Sequence, residues 1–354
     1  MQIDKPGEIR EGEGLPAKAL ERFLKDNIPG LSGDMKIRQY PGGHSNLTYL
    51  ISFGNREMVM RRPPFGAKVT SAHDMGREYR ILSALSGVFP CAPRPILHTE
   101  DASVIGCPFF IMKRLKGVVI RGEIPEGMAL SPEQAEKMCK NLIKTQYALH
   151  LIDYQGIGLK DFGKPLGYMR RQVEGWSNRY EGSKTPDAPD CSDIMAWLAR
   201  HLPPECARPG IVHGDFKFDN VLVGENDPTE IVGVLDWEMA TIGDPMADLA
   251  YTLLSWPEKK VPGTTAFAAL PPILRDAVCR EEMVEYYENL SGRRVEHLPF
   301  YFSFNLFRLG VILQQIYYRF YHGITNDARF GAFKDTIIFL MQAAKAGMDT
   351  SDRF

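Results

Sequence analysis

The feature that most constrains this chain is a pair of polar motifs flanking one short apolar hairpin. His213-Gly214-Asp215-Phe216-Lys217-Phe218-Asp219-Asn220 leads into Val221-Leu222-Val223, a turn spans Gly224 to Pro228, and Ile231-Val232-Gly233-Val234-Leu235 runs on into Asp236-Trp237-Glu238. Two apolar runs broken by Gly, Asn, Asp and Pro predict antiparallel strands. A tight hairpin brings its open ends together, so Asp215, Asn220 and Asp236 are expected to gather at one end of a ribbon. Hard oxygen ligands for Mg²⁺ beside a carboxylate able to take a hydroxyl proton are what phosphoryl transfer needs. The bland alternative is that Asp215 and Asn220 only cap turns. Their position before a hairpin that ends in Leu-Asp-Trp favours the active role, whereas His213 reads as a buried, hydrogen-bonded scaffold residue.

The rest of the chain supplies a frame of matching size. Its 354 residues exceed what one hydrophobic core usually fills, which favours two domains or one two-lobed domain. A net charge of -2 gives no global basic field, so neither nucleic acid nor an anionic membrane is an expected partner. Cys91, Cys107, Cys139, Cys191, Cys206 and Cys279 form no C-x-x-C pair and read as reduced thiols. The start of the chain lacks a signal-peptide pattern, and the apolar run Phe300 to Tyr321 carries Asn305, Arg308, Gln314, Gln315 and Arg319. No membrane insertion and a cytoplasmic location are therefore expected.

Local patterns place the elements. An amphipathic helix is predicted over Leu15 to Leu24, then a three-stranded meander over Met35 to Tyr40, Asn46 to Phe53 and Glu57 to Arg62. After Ser71 a helix is predicted with Met75, Tyr79, Leu82 and Leu85 on one face, followed by short strands near Ile96 to Thr99 and Phe109 to Met112. Ser131-Pro132-Glu133-Gln134 is a capping box that opens a helix to about Leu151. Further helices are predicted from Tyr168, with Met169, Val173, Trp176 and Tyr180 on one face, and over Asp193 to Leu202. The prediction is an α+β chain: a small sheet-rich lobe over 1–115 and a larger, mainly helical lobe over 116–354 that holds the hairpin.

The His-x-Asp followed after four residues by Asn resembles the catalytic loop of the protein-kinase-like superfamily. Its His-Gly-Asp version resembles the aminoglycoside phosphotransferase (APH) family of small-molecule kinases. That resemblance implies a kinase-like two-lobed fold, with ATP and Mg²⁺ as cofactors. Asp215 would be the base, Lys217 would steady the transferring phosphate, and Asn220 and Asp236 would hold the metal. Many antibiotic kinases have His where Lys217 stands, which hints at a different acceptor. Gly243-Asp244-Pro245-Met246-Ala247-Asp248 repeats the family's Gly-Asp-Pro…Asp pattern; Asp244 is a natural N-cap, and with Asp248 it would brace the catalytic loop.

For the nucleotide, Gly42 and Gly43 sit between two strands, where backbone N–H groups with the side chains of Ser45 and Asn46 would cover ATP phosphates. A Walker pattern is absent. Alternation places Val59 and Arg61 on one face, so Arg61 stands where kinases carry a strand Lys, with Arg62 as the register alternative and Glu78 as its partner on the next helix. Met60-Arg61-Arg62-Pro63-Pro64 resembles a Leu-Arg-basic-Pro-Pro pattern of kinase-like relatives. The bland alternative for Arg61 and Glu78 is an ordinary surface ion pair. Phe110 to Leu115 resembles the hinge between lobes, where backbone groups from Lys113 to Leu115 would bind adenine.

The acceptor is read from a wider resemblance. Ser32-Gly33, the stretch Gly42 to Tyr49, Gly163-Lys164-Pro165, the stretch Arg171 to Trp176 and the run Leu235 to Pro245 together resemble the kinase-like domain of the acyl-CoA dehydrogenase family 10/11 type. This implies a small-molecule alcohol as acceptor, a hydroxyacyl-CoA or hydroxy acid, and a standalone version of that domain. Arg308, with Arg171 or Arg179, is a candidate for a substrate anion. The aromatic run through Phe300, Phe302, Phe304 and Phe307 is more often core than a ligand wall. Glu281, Glu282, Glu285 and Glu288 offer a cation face or simply a solvated helix surface. The alternatives are an antibiotic, choline or sugar kinase, and a nucleotide-binding pseudokinase scaffold.

Overall fold

Alternation along the apolar runs decides the first half of the molecule. The computed structural model describes residues 5–41, 46–65, 74–256, 270–325 and 327–348. It groups into two units: Met1–Phe162 with His213–Thr241 and Ala269–Ala277, and Gly163–Val212 with Ile242–Ala268 and Val278–Phe354.

In the first unit, helix α1 (Ala17–Asn27) precedes the strands β1 (Met35–Gln39), β2 (Leu47–Phe53) and β3 (Arg56–Arg62). Helix α2 (Met75–Leu85), strand β4 (Pro95–Thr99), the single turn α3 (Ala102–Ile105), strand β5 (Phe109–Lys113) and helix α4 (Pro132–His150) follow. The antiparallel sheet runs β1-β2-β3-β5-β4. Because side chains alternate, one face carries Leu47, Tyr49, Ile51, Phe53, Met58, Met60, Phe109 and Ile111, which pack with Leu20 and Leu24 of α1. Truncating either leucine to Ala would cost about 2–5 kcal/mol. The other face carries the row Thr48, Arg61, Phe110, and next to it the row Leu50, Val59, Met112.

Helix α2 differs from the pattern predicted for it. Its buried stripe is Met75, Glu78, Ile81, Leu82 and Leu85, with Tyr79 only half-buried against His98. Asp74 caps it, accepting from Arg77 N at 2.9 Å, and Ser71 lies outside the described residues. Helix α4 has the predicted reciprocal cap, Gln134 N to Ser131 Oγ at 3.2 Å and Ser131 N to Gln134 Oε1 at 2.9 Å.

The hairpin pairs Val221 with Val234, Leu222 with Gly233 and Val223 with Ile231 across one bulge. Val118 exchanges two hydrogen bonds with Val223, both 2.9 Å, and a Cβ on Gly117 would lie 2.8 Å from the Val223 carbonyl oxygen. Glycine at 117 is what lets the chain leaving β5 run this close to the hairpin.

The second unit is helical. Helix α5 (Tyr168–Gly182) buries Met169, Val173, Trp176 and Tyr180, the face predicted for it. Helix α6 (Ser192–Arg200) follows, then the paired strands Gly210–Val212 and Thr241–Gly243, and helix α7 (Pro245–Leu253). The long helix Leu298–Tyr321 buries Phe300, Phe302, Phe304 and Phe307, so that aromatic run is core. Its polar residues serve the interior: Asn305 donates to the Ala247 carbonyl at 2.9 Å and Gln314 to the Ser183 carbonyl at 2.8 Å. Among the described residues no helix is long and apolar enough to cross a membrane.

Candidate active site

The loop that enters the hairpin is tied to the strand that leaves it. His213 is fully buried; its Nε2 donates to the Leu235 carbonyl at 2.9 Å and its Nδ1 accepts from Asp215 N at 3.3 Å. The imidazole thus ties the loop before the hairpin to the strand end before Asp236, a scaffold task that uses both nitrogens. Gly214 has φ +83°, and a Cβ there would meet Met239 at 3.1 Å, so a side chain is unfavourable at this turn. Asp215 follows with both oxygens engaged: Oδ1 lies 3.0 Å from Lys217 Nζ, and Oδ2 accepts from Asn220 Nδ2 at 2.7 Å. Asn220 also donates to the Asp215 carbonyl at 2.9 Å. With its amide nitrogen so used, Asn220 has its amide oxygen as the atom that could serve a hard cation.

Across the hairpin, Asp236 adopts φ 66°, a left-handed conformation rare outside glycine and found where a site over-determines its backbone. Arg61 converges on it. Arg61 Nη1 lies 3.3 Å from Glu78 Oε1, and Nη2 lies 2.9 Å from Asp236 Oδ1 and 3.5 Å from Glu238 Oε2. Burial alone would lower the Arg61 pKa, but Glu78, Asp236 and Glu238 together hold it above its ordinary value. For Glu78 burial dominates and pushes the carboxyl up to about 7, against the pull of Arg61 and of the Trp237 backbone N–H. Two buried polar atoms here lack a hydrogen-bond partner, Arg61 Nε and Glu78 Oε2. An N–H left without an acceptor beside a cation-ready carboxylate is a fit for an anionic oxygen.

Other candidates fall differently. Arg62 turns away from this corner, donating to the Pro63 carbonyl and stacking on Phe65 at 3.7 Å, so the register alternative is excluded. Gly42, Gly43 and Ser45 lie outside the described residues; Asn46, just after them, is buried and donates to Glu238 Oε2 at 2.7 Å. Of the backbone groups expected to bind adenine, one belonging to Lys113 is already engaged. Its backbone N–H already donates to the Arg94 carbonyl at 2.8 Å, continuing the sheet, which leaves its carbonyl. Leu115 packs toward Gly233, where a Cβ would come within 2.8 Å of it.

Two residues that organise this corner had no role in the sequence reading. Glu238 sits on a single 3-10 turn, Trp237–Met239. Its one sequence signal is a second acid two residues beyond Asp236. Arg77 donates to the Ala240 carbonyl at 3.1 Å and the Phe162 carbonyl at 2.9 Å, pinning α2, and with it Glu78, to the segment after Glu238.

The remaining candidates belong to the second unit. Asp244 caps α7 through Met246 N at 3.0 Å and accepts from Tyr301 Oη at 2.6 Å, both within the interior. Asp248 is buried on the same helix. Arg179 stacks over the Trp176 ring at 4.6 Å, and Arg308 lies 5.6 Å from the same ring and 5.3 Å from that of Tyr251. Arg171 is exposed and hydrogen-bonds the Leu166 and Lys164 carbonyls, so it closes a local turn. The acids of the helix Arg280–Ser291 are partly used in its caps: Glu282 accepts from Cys279 N and Glu288 from Val295 N, each at 2.7 Å. Among the described residues, no three His, Cys, Asp or Glu side chains form a metal cage.

Comparison with known proteins converges on one group. The model of the APH phosphotransferase enzyme family matches residues 36–277. Acyl-CoA dehydrogenase family member 11 of Gallus gallus is 34% identical over 99% of this chain and 45% of its own length. Family member 10 of Mus musculus is 33% identical over 90% of this chain and 30% of its own. The chain therefore spans less than half the length of these curated relatives. A crystal structure from Ralstonia eutropha JMP134, provisionally named an aminoglycoside phosphotransferase, superposes with a TM-score of 0.79 at 30% identity, covering 95% of this chain and 98% of its own. The GDP and kanamycin complex of the 2″-phosphotransferase APH(2″)-IIIa shares the fold, with a TM-score of 0.62 at 18% identity over 92% of this chain and 98% of its own.

Proposed function

Since this chain belongs to the APH family of phosphotransferase enzymes, with a kinase-like α+β fold, we propose that it transfers the γ-phosphoryl group of ATP to a hydroxyl of a small molecule. The observation that carries the reading is the convergence of Asp215, Asn220, Asp236, Arg61 and Glu78 within one unit. Asp215 accepts the proton of the acceptor hydroxyl as its oxygen attacks the γ-phosphorus, and the bond to the leaving ADP oxygen breaks in line. Lys217, beside Asp215 Oδ1, offers its ammonium to the transferring phosphate. Arg61, through Nε, takes a phosphate oxygen, and Glu78 keeps the guanidinium in place.

Asn220 and Asp236 would hold Mg²⁺. Four carboxylates, Asp215, Asp236, Glu78 and Glu238, stand beside Arg61 and Lys217 among the described residues, an acidic set that a divalent cation would suit. Mg²⁺ characteristically takes one or two protein oxygens and fills its remaining positions with phosphate and water, so the lack of a protein cage suits it. When bound it would neutralise charge building on the phosphates. Glycines 42 and 43, Ser45 and Asn46 covering the phosphates, and the Lys113 carbonyl and Leu115 meeting adenine, complete the nucleotide side. The lobe boundary between residues 115 and 116 belongs to the same proposal.

A hydroxyacyl-CoA or hydroxy acid is the favoured acceptor, since the curated relatives carry acyl-CoA dehydrogenase names. Arg308 and Arg179 around Trp176 would meet the acceptor's anionic group. An aminoglycoside acceptor is the second reading, drawn from the kanamycin complex of a fold relative. Arg61 in place of lysine favours a third, the non-transferring scaffold. The test is ATP consumption with Mg²⁺ against hydroxyacyl-CoAs, hydroxy acids, aminoglycosides, choline and sugars, with Asp215→Ala as control. Turnover with a hydroxyacyl compound alone is expected. Turnover only with an aminoglycoside would replace the acceptor, and none with any compound would leave the scaffold.

A further inference from the structure

One nitrogen of Arg61 faces two carboxylates at different ranges. Nη2 donates to Asp236 Oδ1 at 2.9 Å, a charge-assisted hydrogen bond, and stands 3.5 Å from Glu238 Oε2, an ion pair not closed to the length such bonds take. The guanidinium already holds Asp236 Oδ1, so a cation that takes that oxygen has to draw it off. The exposures are ordered accordingly: the side chain of Asp236 is 34% exposed and that of Glu238 14%, so a hydrated ion arrives on the side of Asp236. Glu238 is itself steadied from the sheet by Asn46, whose Nδ2 donates to Oε2 at 2.7 Å. A lysine at position 61 would present one compact charge. The guanidinium presents a rigid fork whose nitrogens serve separate carboxylates, Nη1 for Glu78 and Nη2 for the other two.

We propose that Asp236 is parked on Arg61 in the nucleotide-free protein, and that Glu238, steadied by Asn46, is the positioning residue that receives Arg61 when a divalent cation takes Asp236. The inference rests on the reading of Asp236 as a cation ligand. No covalent bond changes in the exchange: Nη2 leaves Asp236 and closes on Glu238 while Nη1 stays on Glu78. The guanidinium thus remains neutralised throughout, and the release of Asp236 does not strand a charge in a buried corner.

Mn²⁺ alone, followed by electron paramagnetic resonance of the unbound ion, is the probe, titrated into nucleotide-free protein and into protein holding a non-hydrolysable ATP analogue. The variants are Glu238→Gln, the double variant Arg61→Met with Glu78→Gln, which removes the fully buried Glu78 charge together with the arginine, and the triple variant. Glu238→Gln is expected to weaken Mn²⁺ binding roughly fivefold or more in the wild-type background, as coupled neighbours do. The double variant is expected to tighten binding to the nucleotide-free protein, and adding Glu238→Gln to it to change nothing further. Equal weakening by Glu238→Gln in both backgrounds overturns the inference and makes Glu238 a cation ligand in its own right; absence of tightening overturns it as well. Should the double variant unfold, Arg61→Lys, which keeps a charge opposite Glu78 but lacks the second fork nitrogen, is expected to show the same loss of Glu238 dependence. Asp236→Asn separates the two levels. If it leaves Mn²⁺ affinity unchanged, the cation-ligand reading falls and this inference with it. If it abolishes binding while Arg61 variants have no effect, this inference falls alone.

Discussion

The Asn220 side chain donates to both the carboxylate and the backbone carbonyl of Asp215, at 2.7 and 2.9 Å. The residue assigned to the metal therefore also orients the residue assigned to the proton. Positioning and charge stabilisation supply most of the rate in phosphoryl transfer, so this coupling should be visible in kinetics.

Asp215→Asn removes the carboxylate proposed as the base and keeps the shape. Turnover is expected to fall by about 10²–10⁴-fold, the usual worth of general base catalysis, with nucleotide affinity little changed. Steady-state rates alongside nucleotide binding by calorimetry check it; a variant that retains wild-type turnover rules out Asp215 as the base.

Asn220→Ala loses the proposed oxygen ligand and the brace on Asp215 together. The Mg²⁺ concentration for half-maximal rate is expected to rise by about 10–100-fold, with a drop in kcat that saturating metal does not restore. Full recovery at high Mg²⁺ would reduce Asn220 to a ligand without an orienting role.

Glu78 predicts a pH signature in stability. Its folded carboxyl is pushed up to about 7, above its ordinary value of 4.5. Between those values the folded protein holds a proton that the unfolded chain has released. Stability is therefore greatest on the acid side of this window and is lost as pH rises through it. Thermal unfolding followed from about pH 5 to pH 7 should show a Tm of the wild type falling relative to Glu78→Gln, in which that slope is absent. Parallel curves would show that Glu78 does not carry the proton.

Tyr301→Phe tests the second unit without touching the catalytic loop. It removes the donor to Asp244, a hydrogen bond of 2.6 Å between buried groups. A loss of about 1–3 kcal/mol in denaturant unfolding is expected, because a buried carboxylate loses one of its hydrogen-bond donors.

Arg308 and Arg171 should separate in acceptor kinetics. Arg308→Ala is expected to raise the acceptor KM while the ATP KM holds, whereas Arg171→Ala should change neither, its guanidinium being spent on the Leu166 and Lys164 carbonyls. A loss of folding in Arg308→Ala, with no KM change in Arg308→Lys, would make Arg308 a core residue only.

Much of the local structure was legible in the sequence. Ser131 and Gln134 form their reciprocal cap, Asp244 caps α7, and α5 buries the face that helical spacing marks. These follow from interactions within one or two turns, which the order of residues controls directly. The hairpin is of the same kind, and it alone brings the ends carrying Asn220 and Asp236 together. Period-two alternation likewise separated Arg61 from Arg62, since neighbours on a strand face opposite ways.

Tertiary structure decided the rest. Nothing local tells Arg61 that its second nitrogen will meet Asp236, 175 residues away, or tells Asn46 that it will donate to Glu238, 192 residues away. Nor does helical spacing reveal that a carboxylate, Glu78, completes the buried stripe of α2, because an acid is expected at a surface unless a partner is known. The same limit applies to the aromatic run of the long helix, whose burial depends on what packs against it. Periodicity determines which way a side chain faces. What waits on that side is settled by the approach of distant backbone, and here that approach turns a familiar loop motif into a corner where one arginine serves three carboxylates.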